Sequence, residues 1–161
     1  SFIVGQQEFS VTARGVMGDW TDAAFKIGFR KKAVYTATFN SYTDIAAVGN
    51  GSSAAGTTWI NGDLFATNAG LNSAAPVQAI SAIAPVDAVS VEFRMNVAAN
   101  GTVTAFVDNV ALPIYSAGTT TMIFDAGDEL IPFYQMVNIG GGDPAASISK
   151  FVAVADANWK I

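Results

Sequence analysis

Histidine and cysteine are both absent from this chain of 161 residues, which leaves the carboxylates as the groups able to do acid–base chemistry. A His-based triad, a Cys–His pair and a thiolate or imidazole zinc site are thereby excluded. No disulfide staples the fold. Glycoside hydrolysis needs two carboxyl groups facing each other across a cleft. The three glutamates, Glu8, Glu92 and Glu129, are instead scattered along the sequence. Glu92 stands on the polar side of an alternating run with Arg94 two positions on, the spacing of a same-face surface ion pair. The sequence therefore points away from an enzyme.

Hard oxygen ligands in flexible turns are what calcium takes. Asp125 and Asp128 fall in one turn beside Glu129, and Asp143 sits in a glycine-rich loop. They are the candidate calcium ligands, although no EF-hand spacing is present and an aspartate in a turn also caps its own backbone. No other cofactor is expected. The run Gly140-Gly141-Gly142 lacks the Lys and Ser/Thr that follow a phosphate loop.

Aromatic side chains offer stacking surfaces for sugars or anchors for a protein partner. Trp20 beside a Gly-Asp turn, Trp59 in a loop-rich stretch and Tyr115 are the candidates here, against the alternative that they are core. Phe2, Ile3 and Val4 make an apolar start. Residues 1–7 read either as an arm that pairs with a neighbouring subunit or as a first strand in the chain's own sheet. Arg30, Lys31 and Lys32 form the one basic cluster, a contact with a partner, a solvated strand end or a turn between two strands.

The bulk numbers limit the partners. Thirteen acidic against eight basic residues give a net charge of −5, which argues against a phosphate backbone as ligand. No apolar stretch reaches the 18 or so residues of a membrane helix. Charged residues make up only 13% of the chain, about half the roughly 25% usual for soluble domains. Such a surface either relies on short polar side chains or is covered by other chains.

The elements that would position these residues are strands. Val89–Val97 alternates apolar and polar residues over its whole length, and Asn100-Gly101 separates it from Thr102–Val107, the strongest short-range hairpin signal. Asp108-Asn109 marks a second reversal before Val110–Leu112. Glu8–Met17, Phe25–Thr38, Tyr42–Val48, Thr57–Phe65, Thr120–Phe124, Leu130–Asn138 and Ser147–Ala155 read as further strands. Gly49–Ser53 reads as a turn, Asn61-Gly62-Asp63 as a tight turn or bulge, and Asn68–Pro76 as loop. Gln78–Ala84 leaves a short helix open. Ten to twelve short strands without an amphipathic helix predict an all-β fold over residues 1–161. The expected architecture is an antiparallel two-sheet β-sandwich of jelly-roll or lectin-like type, with a closed barrel as the runner-up.

The paired run Val89–Met95 and Asn100–Asn109 resembles the strands of concanavalin A-like lectin/glucanase sandwiches. Together with Phe124-Asp125-Ala126-Gly127-Asp128, Leu130-Ile131-Pro132-Phe133, Gly141-Gly142-Asp143-Pro144, Trp20–Ala24 and Tyr42–Gly49, it looks like small structural proteins of tailed bacteriophages. Asn109 departs from the usual glycine in the hairpin, and the paired glutamates of the enzyme members are missing. The resemblance implies a virion component assembled in the host cytoplasm. Its expected role is a decoration or cement protein on the major capsid protein lattice, homo-oligomeric and plausibly trimeric. The alternative it implies is a carbohydrate-binding, receptor-binding domain of a spike or fibre.

Overall fold

A computed structural model describes residues 1–19, 23–34, 44–52, 58–68, 73–79, 86–112, 123–138 and 145–155. In chain order the strands are β1 (Phe2–Ile3), β2 (Phe9–Val16), β3 (Ala23–Lys31), β4 (Ile45–Ser52), β5 (Thr58–Asn68), β6 (Ser73–Ala79), β7 (Val91–Val97), β8 (Val103–Val107), β9 (Val110–Ala111), β10 (Glu129–Asn138) and β11 (Ser147–Ala155). They form two antiparallel sheets, one ordered β1-β10-β3-β4-β5-β6 and the other β11-β2-β7-β8-β9. The expected sandwich is the architecture found. Among the described residues no helix is long and apolar enough to cross a membrane.

Alternation decides which face is inside. Phe9, Val11 and Ala13 of β2, Val91, Phe93, Met95 and Val97 of β7, and Val103, Ala105 and Val107 of β8 are buried, with polar side chains between them. Phe25, Ile27 and Phe29 of β3 meet them from the opposite sheet. Phe2 stacks on Phe9 at 5.0 Å, and Phe29 stands edge-on to both at 5.8 and 4.9 Å. Phe2 and Val4 thus belong to this chain's own core. β1 pairs with Leu130 and Glu129 of β10, so the subunit-bridging arm gives way to the first-strand alternative.

The hairpin between β7 and β8 follows the sequence closely. Gly101 N donates to Ala98 O, Ala98 N to Thr102 O, and Thr102 N to the Asn100 side chain. Gly101 has φ +86°, and a Cβ there would stand 2.1 Å from the Phe124 carbonyl oxygen, so only glycine fits. Asp108 and Asn109 both have positive φ, 47° and 65°, as a two-residue hairpin loop demands. Asparagine tolerates that region, which explains how Asn109 stands where glycine is usual.

Five segments differ from expectation. The strand expected over Phe25–Thr38 ends at Lys31, with Lys32, Ala33 and Val34 beyond it. Of the strand expected over Thr120–Phe124, Ile123 makes an isolated bridge to Thr102 and Phe124 lies outside any strand. The Gly49–Ser53 turn is instead the continuation of β4 through Ser52. Gly49 lies where β3 comes close, since a Cβ would meet the Phe25 carbonyl oxygen at 1.9 Å. The loop expected to Pro76 contains β6, the edge of its sheet, where a residue without an N–H is tolerated. That strand also runs through Gln78 and Ala79, the start of the stretch left open as a helix. Asn61-Gly62-Asp63 lies inside β5 at an irregularity, with Asp63 opposite Gly49 and Trp59 opposite Gly51. The bulge is therefore the alternative found.

Candidate functional site

The strand registers align the outward side chains of the five-stranded sheet in three cross-strand rows. Lys150, Arg14 and Glu92 form the first, and Val152, Thr12, Arg94, Phe106 and Ala111 the second. The third is Val154, Ser10, Asn96 and Thr104. The face thus grades from charged, through mixed apolar, to short and polar.

The charged row is internally satisfied. Glu92 accepts from Arg14 at 3.1 Å and faces Lys150 Nζ at 3.8 Å. Its expected partner Arg94 is not the one it takes. Directly opposed cross-strand side chains sit closer than i, i+2 neighbours along a strand, so Arg14 wins. Glu92 is a structural ion-pair member here, and its backbone N–H donates to Asp108 Oδ1 at 2.8 Å.

Over the third row lies a hollow of about 400 Å³, lined by Glu8, Ser10, Arg94, Asn96, Thr104 and Val154 among others. Two of its groups are unusual. Arg94 Nε and Asn96 Oδ1 are shielded from solvent yet have no hydrogen-bond partner. Each such atom costs on the order of 1–3 kcal/mol if it stays unmatched. The Arg94 guanidinium lies over the Phe106 ring, 4.3 Å from its centre. The chemistry on offer is one cationic planar donor, one amide, three hydroxyls from Ser10, Thr102 and Thr104, the Glu8 carboxylate and an apolar side wall. Val154, 47% exposed, supplies that wall. Such a mixture recognises a polar molecule with hydroxyl groups and an apolar face.

The residues singled out from sequence lie elsewhere. Lys31 Nζ contacts Asp128 Oδ1 at 2.6 Å and Asp44 at 3.6 Å, and its pKa is raised chiefly by the Asp128 hydrogen bond. Lys32 holds Glu129 through both carboxylate oxygens at 3.0 and 3.1 Å. Hydrogen bonds from Ser1 and then Lys32 keep the Glu129 carboxyl below the usual range. Arg30 Nη1 donates to the Lys31 carbonyl at 3.4 Å. Lys31 and Lys32 therefore tie the end of β3 to Asp44, Asp128 and Glu129. Asp128, a proposed calcium ligand, is buried with the Lys31 ammonium against it, while Asp125 is exposed. The Lys31 ammonium takes Asp128 Oδ1, while Asp128 Oδ2 is shielded and has no hydrogen-bond partner. Among the described residues no three carboxylates converge as metal ligands. Asp143, Trp20 and Tyr115 lie outside the described residues, and of Trp59 the strand position in β5 is described. Of the apolar start, Ile3 alone stays exposed.

Sequence reasoning passed over Arg94, Asn96, Ser10 and Thr104. The signal was present in the alternation, which put them on outward faces. Their convergence depends on which strands are neighbours, and β2 and β7 are separated by about 75 residues of chain.

No protein-family model matches this chain, and a search of curated proteins finds no match. Among solved structures it is similar to a tetrameric galectin from Cinachyrella sp., a ball sponge. The two share 12% identity over 95% of this chain and 94% of that one, with a TM-score of 0.54. The likeness is one of fold: a galectin-like β-sandwich.

Proposed function

We propose that this chain is a non-catalytic carbohydrate-binding module that takes its ligand in the hollow on the five-stranded sheet, as a receptor-binding domain of a virion spike or fibre. The observation that carries the reading is the pair of solvent-shielded, unpartnered polar atoms, Arg94 Nε and Asn96 Oδ1, in one hollow with Ser10 and Thr104. Hydroxyl-rich ligands both donate and accept, and so match an orphaned donor and an orphaned acceptor at once. The galectin-like fold supports the same class of ligand. The tetrameric state of that neighbour supports a homo-oligomer, and the phage resemblance of the sequence supports the virion setting. The test is a glycan panel read by calorimetry, with Asn96→Ala as the site variant. Saturable binding lost in Asn96→Ala supports the reading. Silence across the panel, with and without calcium, would sink it.

A second reading is a decoration or cement protein bound to the major capsid protein lattice. The observation favouring it is the apolar margin between the sheets, where Tyr134, Met136 and Phe151 face inward yet are 55%, 44% and 37% exposed. A margin of that kind suits burial against another protein. Cosedimentation with shells lacking this protein distinguishes the two, because ordered occupancy on shells is required by the second reading alone.

A further inference from the structure

Resting on the carbohydrate-binding reading, we infer that the ligand is an acidic saccharide whose carboxylate pairs with Arg94. The charges on this face single that residue out. Arg14 and Lys150 share Glu92, which is thereby engaged twice. Among the described residues no carboxylate pairs with Arg94, whose guanidinium lies over the uncharged Phe106 ring. A guanidinium stacked on an aromatic face keeps its in-plane donors free for a planar acceptor, and a carboxylate is the acceptor whose two oxygens fit that fork. Arg94 Nε is shielded and unpartnered in the free chain, so a small turn of the side chain presents it to the ligand and removes an unmatched donor at the same time.

The surroundings fix the rest of the ligand. Asn96 is two residues along β7 on the same face, and its orphaned Oδ1 needs a donor, which a hydroxyl next to the carboxylate-bearing carbon supplies. Ser10 and Thr104 flank Asn96 in the same row and extend the hydroxyl-reading surface. Glu8 lines the mouth of the hollow, is exposed, and has no ion pair with Arg94. It disfavours a second anionic group there, so the site selects a single carboxylate over a polyanion. Uronic acids have this combination, with the carboxylate on C5 and a hydroxyl on the adjoining C4.

The probes are oligosaccharides containing uronic acid, each matched with its carboxyl-reduced analogue, titrated into the full chain by calorimetry. The expected result is a preference for the acid of at least about tenfold. That preference should shrink with added salt and vanish in Arg94→Gln, which keeps weak binding of the reduced sugar. Arg94→Lys should fall between, since it restores charge without the fork. Near-UV circular dichroism establishes that each variant keeps its packing, and the salt series on the unmodified protein gives a readout needing no variant. Equal binding of acid and reduced sugar overturns the inference and leaves the carbohydrate reading standing. A preference that survives in folded Arg94→Gln also overturns it. Failure of every glycan, acidic or neutral, overturns both.

Discussion

Gly101 and Gly127 form a natural pair for separating two reasons why a position admits only glycine. Their φ values are +86° and +90°, so an alanine at either meets the same backbone penalty, roughly 1–2 kcal/mol. Their surroundings differ. A Cβ on Gly101 would stand 2.1 Å from the Phe124 carbonyl oxygen, 3.1 Å from its carbon and 3.2 Å from Val4 Cγ1, whereas one on Gly127 would have no neighbour within 4 Å. Relief at Gly101 requires moving Phe124, whose N–H donates to Gly101 O at 3.0 Å and whose side chain is fully buried. Forced overpacking adds about 1–3 kcal/mol, and weakening that hydrogen bond about 1 kcal/mol more. Gly101→Ala should therefore cost about 3–6 kcal/mol and Gly127→Ala about 1–2 kcal/mol. With a urea slope of about 2 kcal/mol/M, the unfolding midpoints should fall by about 1.5–3 M and about 0.5–1 M respectively. Equal shifts, measured by urea titration followed by fluorescence, would refute the claim that contact with Phe124 rather than φ dominates at Gly101.

Phe29→Ala removes the ring that stands edge-on to both Phe2 and Phe9, and should cost about 3–5 kcal/mol in the same urea assay. Burial in β3 lowers the Lys26 pKa from 10.5 to about 8. The unfolded chain therefore binds more protons between those two values, and stability should rise as pH climbs through that window by an amount on the order of 2–3 kcal/mol. Lys26→Met should be flat there, and parallel curves for the two proteins would contradict the assignment. Lys31 shifts the other way, so its contribution is intact below the ordinary lysine value and is lost only as pH rises past its raised pKa. Comparing Lys31→Met with the parent should show a difference that closes only above that value. Glu92→Gln should leave the fold intact and lower stability by no more than about 1–2 kcal/mol, because Arg14 and Lys150 are half-exposed and can rehydrate. Loss of cooperative unfolding in that variant would contradict a surface role.

What could be read from the sequence was whatever a single strand encodes. The alternation of β7 predicts its buried face residue by residue, and Asn100-Gly101 predicts the turn because positive φ leaves few residue choices. Glycine at 49 misled, since close approach of two strands and a tight turn both demand the absence of a Cβ. Pro76 misled for a related reason: a missing donor rules out a central strand but not an edge. Partnership between distant residues was out of reach. Glu92 had an obvious neighbour in Arg94, and nothing local shows that β2 would present Arg14 directly opposite. The same gap hid the hollow, whose lining comes from β2, β7, β8 and β11.

The irregularity in β11 shows how core and candidate site depend on each other. Ile148 faces Gly15 and Lys150 faces Arg14, so Ser149 is an extra residue without an opposite partner. Gly15 shares the inward parity of Phe9, Val11 and Ala13, and Ile148 packs against the core beside them. Beyond the bulge the parity switches: Phe151 and Ala153 turn inward, while Lys150, Val152 and Val154 turn outward. A regular strand could not bury Ile148 and also bring Val152 beside Thr12 and Val154 beside Ser10, because side chains alternate strictly by two. Ser149 fixes the switch by donating its hydroxyl to the Arg14 carbonyl at 3.3 Å. The apolar wall of the hollow and the third partner of the Glu92 cluster thus both follow from one inserted residue. The edge strand is bent where it must serve the core at one end and the outward rows at the other.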